Sequence, residues 1–386
     1  MRPSHCSNEV LRLTQDLIAI ESHHETPGQE AAIGRFLAGW FAEREIDVEL
    51  LTVAGNRANV VARLPGSGNA NRPSLMLCGH LDTVPPGEMS NPFRPRVDDH
   101  SLWGRGACDM KGAVAAMAVT MSRLRQRREP LRGDLIFAGT VDEETGGLGV
   151  RALIEQGVRT NAAVVGEPTS LRIAIAHKGA CFIRVTFSGR GAHGSCPEQG
   201  ISAVSAGGEL VRILEGEFQA LLDTRTHPML GRSTVNVGRL CGGSQPNIVA
   251  ERCEVDIDRR ILPEEPQPVA EIETIVEDVC NRHRVTATVQ EMAMTATVPH
   301  VALGTSSAAL VTRAAIRAAD DLGLNATPIG LTYWTDGGHL AACGIETIVL
   351  GPGNIRDAHV PHEHVAVSEL DQAAALYETT ATGFLR

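Results

Sequence analysis

The sequence predicts an α/β protein: a mostly parallel sheet with helices on both faces, interrupted by an α+β insertion. Three observations predict it. Short apolar runs alternate with helical repeats over residues 1–178. Between residues 179 and 295 the order becomes strand, helix, strand, strand, helix, strand, which is that of a ferredoxin-like sandwich. From residue 296 to 386 the first alternation resumes. Residues 1–178 and 296–386 are therefore expected to form one discontinuous body, and 179–295 a separate lid.

The elements follow in order. Residues 10–20 and 31–41 carry amphipathic repeats; in the second, Ile33, Phe36, Leu37, Trp40 and Phe41 recur at helical spacing. Strands are expected at 59–64 and 74–78, then a helix with an Ala/Met/Val face at 112–125. A strand at 134–141, a helix at 149–156 and a short buried strand at 162–165 complete the first half of the body. In the lid, strands are expected at 181–187, 234–240, 253–257 and 284–289, with helices at 201–222 and 268–281. A helix at 306–322, a strand at 347–350 and a final helix at 368–385 close the chain.

Composition narrows the function. At 386 residues and 43% apolar the chain can build two cores. A net charge of -11 offers no basic stripe for nucleic acid. The nine cysteines have no C-x-x-C pair, so reduced thiols are expected, not a disulfide framework or a thiolate zinc site. Residues 1–8 have no apolar leader, and no run approaches the ~20 apolar residues of a membrane span. A soluble cytoplasmic protein is the expectation.

Carboxylates and histidines sit where predicted strands end. His80 follows the strand at 74–78, and Asp82 is close enough to accept the proton of its other ring nitrogen. Asp109 precedes a helix, where it could cap that helix or bridge two cations. Gly104-x-Gly106 resembles the start of a phosphate loop, but Asp109 stands where a third glycine would be and would repel an anion. Glu143 and Glu144 are adjacent, so on extended backbone they point to opposite sides: one to metal, one to a substrate water. Glu167 ends a buried strand and needs a cation. His359 is a candidate ligand, with His362 and His364 competing. Two divalent cations bring four positive charges, and Asp109, Glu144 and Glu167 three negative ones. A bridging hydroxide completes neutrality, which leaves Glu143 off the metals as general base. His193, in the lid, is a candidate donor to the oxyanion. The inventory points to metal-assisted hydrolysis of an amide.

These residues resemble the M20 family of metallo-amidohydrolases and peptidases, which includes acetylornithine deacetylase and succinyl-diaminopimelate desuccinylase. The resemblance rests on GHLDTVP at 79–85, GRGACDMKG at 104–112, DEETGG at 142–147, GEP at 166–168 and GPG at 351–353 with Ala358-His359. It implies a zinc-exopeptidase-like body with the lid forming a homodimer contact. It also implies one zinc on His80 and Glu167, a second on Glu144 and His359, and Asp109 between them; cobalt or manganese would suit the same donors. Glu143 falls on the catalytic base, Asp82 on the partner of His80, and His193 on the lid histidine. Arg260, in DRRILP at 258–263, falls on the arginine that holds a substrate carboxylate, and Asn247 on a polar lid contact. The peptide bond after the bridging aspartate, Asp109–Met110, is often cis in such proteins.

Glu167 stands where carbamoyl-hydrolysing relatives carry histidine, which argues against that activity. The cysteine ligand of the auxin-conjugate branch is absent. The loop Tyr333-Trp334-Thr335-Asp336 resembles the substrate-facing segment of the deacylase branch but is more aromatic. The expected substrate is an N-acyl amino acid, or, for a dipeptidase or carboxypeptidase of the same chemistry, a short peptide. A metal-holding protein without catalysis is disfavoured by the presence of Glu143.

Overall fold

The computed structural model describes residues 7–67, 72–98, 100–128, 130–265, 267–292 and 299–386. The chain divides into two compact units: Met1–Ala176 with Leu303–Gly330 and Thr335–Arg386, and His177–Ala302 with Leu331–Trp334. Leu331–Trp334 thus groups with the second unit, although the helix–strand alternation around it belongs to the first.

The first unit opens with helices α1 (Ser7–Ile18) and α2 (Ala31–Ala42). Strands β1 (Asp47–Ala54), β2 (Arg57–Leu64) and β3 (Leu75–His80) follow. After the short strands β4 (Arg96–Asp98) and β5 (Ser101–Trp103) come α3 (Lys111–Arg127), β6 (Leu135–Thr140), α4 (Leu148–Glu155), β7 (Ala162–Val165) and β8 (Ala174–His177). The second unit contains β9 (Gly179–Ser188), α5 (Ala203–Ile213) and α6 (Gln219–Leu222), the pair β10 (Thr226–His227) and β11 (Gly231–Arg232), then β12 (Thr234–Gly242), β13 (Arg252–Ile261), α7 (Pro268–His283) and β14 (Thr286–Glu291). The chain ends through β15 (Leu303–Gly304), α8 (Leu310–Asp321), β16 (Ile329–Leu331), α9 (Gly337–Ala342), β17 (Glu346–Val349), β18 (His364–Ala366) and α10 (Val367–Leu385).

The large sheet runs β1-β2-β6-β3-β7-β17-β8-β15, with β16 joined to β8. Its centre is parallel: β6 with β3, β3 with β7 and β7 with β17. Its flanks are antiparallel, at β1–β2, β2–β6 and β17–β8. Every residue of β3, β6 and β7 is buried, which is why these strands read as unbroken apolar runs instead of alternating ones. β1 escapes the sequence reading because it is an edge strand with mostly exposed residues, of which Val48 packs against the core. The helix expected from residue 306 starts at Leu310, because the Ser306 carbonyl is taken by the Ala309 amide and the Thr312 hydroxyl. α3 is buried throughout its first three turns, and its small side chains let it lie among α1, α10 and the sheet.

The parallel centre decides where the chemistry goes. Strands that run the same way end on the same edge, and ligands of such sheets bind at those carboxyl ends. His80 is the last residue of β3. Glu143 and Glu144 follow β6, Glu167 follows β7, and the loop after β17 leads to His359. The ends of β7 and β17 approach so closely that a Cβ on Gly351 would lie 2.1 Å from the Gly166 carbonyl oxygen and 2.6 Å from that of Glu167. Gly351→Ala is therefore expected to cost about 1–3 kcal/mol, read as a lower midpoint of urea unfolding. An unchanged midpoint would show that the two strand ends have slack.

The second unit has a four-stranded antiparallel sheet of order β12-β13-β9-β14. Together with α5 and α7 this is the strand–helix–strand–strand–helix–strand sandwich read from the sequence. Its core gathers Ile183, Val185 and Phe187 of β9 with Leu210 of α5 and Val276 of α7. The helix expected at 201–222 begins at Ala203, where Ser202 caps it by accepting the Ser205 amide, and passes through a π-helical turn at Leu214–Phe218. Among the described residues no helix is long and apolar enough to cross a membrane.

Candidate metal centre

Five side chains meet at the carboxyl edge of the parallel strands. His80 Nε2 lies 3.0 Å from Asp109 Oδ1 and 3.7 Å from Glu167 Oε1. His359 Nε2 lies 3.2 Å from Asp109 Oδ2 and 3.0 Å from Glu144 Oε1. Asp109 thus turns one oxygen to each histidine, and the residues form two donor groups, His80/Asp109/Glu167 and Asp109/Glu144/His359, that share it. The donors are nitrogen and oxygen only, a set that suits zinc and its first-row neighbours.

The electrostatics call for cations. Glu167 is buried and its Oε1 has no hydrogen-bond partner, a costly state for a carboxylate. Burial and the Asp109 charge push the Glu167 carboxyl well above its usual range, and burial and Glu167 do the same to Glu143. The histidines go up as well. Hydrogen bonds to Asp109 and Glu144 lift His359 to about 10. Burial alone would lower His80, but Asp109 and the charge of Glu167 raise it. Protons here occupy positions that divalent ions would fill, and the donor set fits two of them.

The backbone explains how the donors arrive. The Asp109–Met110 peptide is cis. Asp109 does not cap α3; Met110 holds the cap position without a side-chain bond. Glu363 anchors this turn by accepting the amides of Cys108 and Asp109 at 3.0 and 3.1 Å, and itself pairs with the buried Arg105. Glu363 was missed from the sequence, because it lies between His362 and His364 and belongs to no spaced motif. Neither of those histidines joins the donor groups. His364 stacks on Trp103 with ring centroids 4.4 Å apart, and its Nδ1 faces the His362 carbonyl at 3.1 Å.

Two local expectations need correction. Glu143 and Glu144 lie in a turn, not on extended backbone. They are held there because the Asp82 carboxylate accepts both amides, at 3.2 and 3.0 Å. With its carboxylate so occupied, Asp82 meets His80 Nδ1 through its main-chain carbonyl at 3.0 Å, while Oδ1 stands at 3.6 Å. The ring is still oriented with Nε2 toward Asp109, but by the carbonyl first. Asp336 was named only as part of a loop. It is buried, accepts the Thr140 hydroxyl at 2.9 Å, and is pushed up to about 6, chiefly by burial.

The remaining predicted residues lie in the second unit. His193 Nδ1 is 2.7 Å from the Ser195 hydroxyl. Asn247 is adjacent, its carbonyl accepting the Gly194 amide at 2.7 Å. Arg260 pairs with Asp258 at 3.0 Å and lies 5.7 Å above the Phe182 ring. Its neighbour Arg259 is fully buried among Glu265, Glu271 and the Thr234 carbonyl, so only Arg260 of the two has surface to offer a ligand.

An α/β unit that converges two carboxylate–histidine groups on a shared aspartate has the makings of a metal-dependent hydrolase. The comparisons agree with that class. Residues 76–383 match the model of peptidase family M20/M25/M40, and the chain belongs to that family. It is 32% identical to an acetylornithine deacetylase of Myxococcus xanthus over 90% of this chain and 89% of that one. It is 29% identical to a probable carboxypeptidase of Emericella nidulans, over 98% and 90%. Among solved structures it resembles the aminopeptidase PepT of Bacillus cereus, with a TM-score of 0.83 at 22% identity over 98% and 99% of the two chains. It also resembles a dinuclear metal-binding M20 peptidase of Bacillus subtilis, with a TM-score of 0.75 at 18% identity over 98% of each. As a member of this family the chain is a metallohydrolase of amide or peptide bonds.

Proposed function

We propose that this protein is a dinuclear zinc hydrolase that removes the acyl group from an N-acyl amino acid. One observation carries the reading: Asp109 presents an oxygen to each of two donor groups, while Glu143, in the same turn as Glu144, belongs to neither. His80 and Glu167 would hold one ion, Glu144 and His359 the other, and Asp109 both. When bound, the ions supply Lewis acidity to the amide carbonyl and make a water acidic at neutral pH. Glu143 takes the proton of that water and returns it to the leaving amine. Its burial and the neighbouring Glu167 raise its proton affinity above that of an ordinary carboxylate. Asp82 keeps the Glu143 turn in place and orients His80 through its carbonyl.

The second unit is assigned the lid and the homodimer contact. His193 would donate to the developing oxyanion, Asn247 would add a polar contact, and Arg260 would hold the substrate carboxylate. Arg260→Ala is expected to raise KM on the order of tenfold to hundredfold, the worth of about 1.5–3 kcal/mol for a hydrogen bond to a charged group. The increase should vanish for the methyl ester of the same substrate. A KM that rises equally for acid and ester would remove Arg260 from that role.

The similarity to an acetylornithine deacetylase over nine-tenths of the chain supports the deacylase reading. The probable carboxypeptidase relative favours a second, a peptidase acting on dipeptides or carboxyl-terminal residues. A panel of N-acetyl, N-succinyl and N-formyl amino acids with dipeptides, assayed with added zinc, separates them. Turnover confined to the dipeptides would replace the deacylase reading with the peptidase one.

A further inference from the structure

The turn that carries Glu143 and Glu144 is held by Asp82 together with side chains that no motif singled out. Four successive main-chain amides, Val141 to Glu144, each donate to a side chain: Val141 to Asn59 at 3.1 Å, Asp142 to Glu30 at 3.2 Å, and Glu143 and Glu144 to Asp82. Asn59 also donates to the Gly149 carbonyl at 2.8 Å, closing the far end of the segment. With these four amides ending on side chains, the entry to the turn takes its shape from them, while the Gly146 and Gly147 amides close its far side on the Asp142 carbonyl.

Arg57 is central to this arrangement. It sits on β2 two residues before Asn59, so both face the same side of the strand. Its Nε and Nη2 grip the two oxygens of Glu30 at 2.7 Å each, and Nη2 also reaches Asp142 Oδ1 at 2.7 Å. Glu30 is 1% exposed, and Asp142 has a positive φ of 71°. Asp142 in turn receives the Thr145 hydroxyl and the amide of Gly146. Without the guanidinium, two buried carboxylates would face each other uncompensated, a costly state that either residue relieves by swinging away. Asp142 cannot move without carrying its neighbours, Glu143 and Glu144.

We propose that Arg57, through Glu30 and Asp142, is a positioning residue for the Glu143 and Glu144 carboxylates. It rests on the reading of Glu143 as base and Glu144 as ligand. A shift of about 1 Å in a catalytic group can cost on the order of a hundredfold in rate, and loss of an outer partner weakens metal binding about 10–100-fold.

The test uses the full-length protein with Arg57→Gln, Arg57→Lys, Glu143→Gln and the double variant Arg57→Gln/Glu143→Gln. Zinc affinity is measured by competition with a chromophoric chelator, and kcat and KM separately on the best substrate of the panel. Arg57→Gln should lower kcat about a hundredfold with KM within a few-fold, and weaken one of two zinc affinities about 10–100-fold while sparing the other. Arg57→Lys, which keeps the charge and loses the fork, should recover part of both losses and remains informative if the glutamine variant does not fold. With zinc held at saturation so that the Glu144 arm does not limit the rate, the double variant should be slowed by far less than the product of the single effects, as residues acting through one group are non-additive. Wild-type kcat and both wild-type zinc affinities in Arg57→Gln would overturn the proposal, as would a double variant slowed by the product of the single effects. If Glu143→Gln itself stays active, the base assignment fails, and the zinc arm still decides whether Arg57 acts through Glu144.

Discussion

Glu143→Gln lowers kcat on the order of 10²–10⁴-fold and leaves the zinc content unchanged. The substitution keeps the volume and the amide-facing geometry of the turn while removing a carboxylate that sits beside Glu144 and belongs to neither donor group. The Asp82 bonds to the Glu143 and Glu144 amides are main-chain bonds, so they survive the change. A loss of this size with metal retained separates proton transfer from ligation. Metal analysis beside steady-state kinetics reads both. Turnover that persists at wild-type kcat would move the base elsewhere, with the buried Asp336 the next carboxylate to examine.

Stripping the metals produces the second large effect. A ligand that binds only the folded state at 100–1,000 times its Kd adds about 3–4 kcal/mol per site, so a chelator should lower the unfolding midpoint sharply. Asp109 serves both groups, so Asp109→Asn should abolish most of the difference between loaded and stripped protein, whereas Glu167→Gln should remove only part. The effect has a pH sign. In the metal-free protein His359 holds its proton up to about pH 10, because Asp109 and Glu144 accept from it. That raised value stabilises the metal-free fold below about pH 6.5, and the contribution fades as pH rises through 10. Metal binding requires the neutral ring, so loading releases this proton and the affinity rises with pH over the same window. The gap in midpoint between loaded and stripped protein should therefore widen from pH 6 to 9. A gap that narrows instead would mean that metal does not displace the His359 proton.

Much of the fold was legible because the central strands and α3 are buried on all sides, and burial leaves unbroken apolar runs. The antiparallel flank strand β1 and the three short strands β4, β5 and β18 left no such record; β1 is largely exposed, and the others are three residues long with a single buried residue at most. The site divides in the same way. His80 and Glu167 follow glycines at the ends of apolar runs, Glu143 and Glu144 follow the run that ends at Val141, and Asp109 and His359 lie within the spaced stretches at 104–112 and 351–359, all local signatures. Glu30, Arg57, Asn59 and Glu363 carry none. A buried ion pair between residues 27 positions apart reads as two surface charges until the chain folds.

Composition and local spacing alone determined that this chain would build a parallel sheet, an α+β insert and an edge rich in nitrogen and oxygen donors. Which oxygen of Asp109 faces which histidine, which group of Asp82 meets His80, and that the Glu143 turn hangs on Arg57 were decided only by tertiary structure. The reason is one of range. Helix and strand periodicity are properties of neighbours along the chain, whereas hydrogen-bond partners of a buried polar group are whatever groups packing brings within about 3 Å.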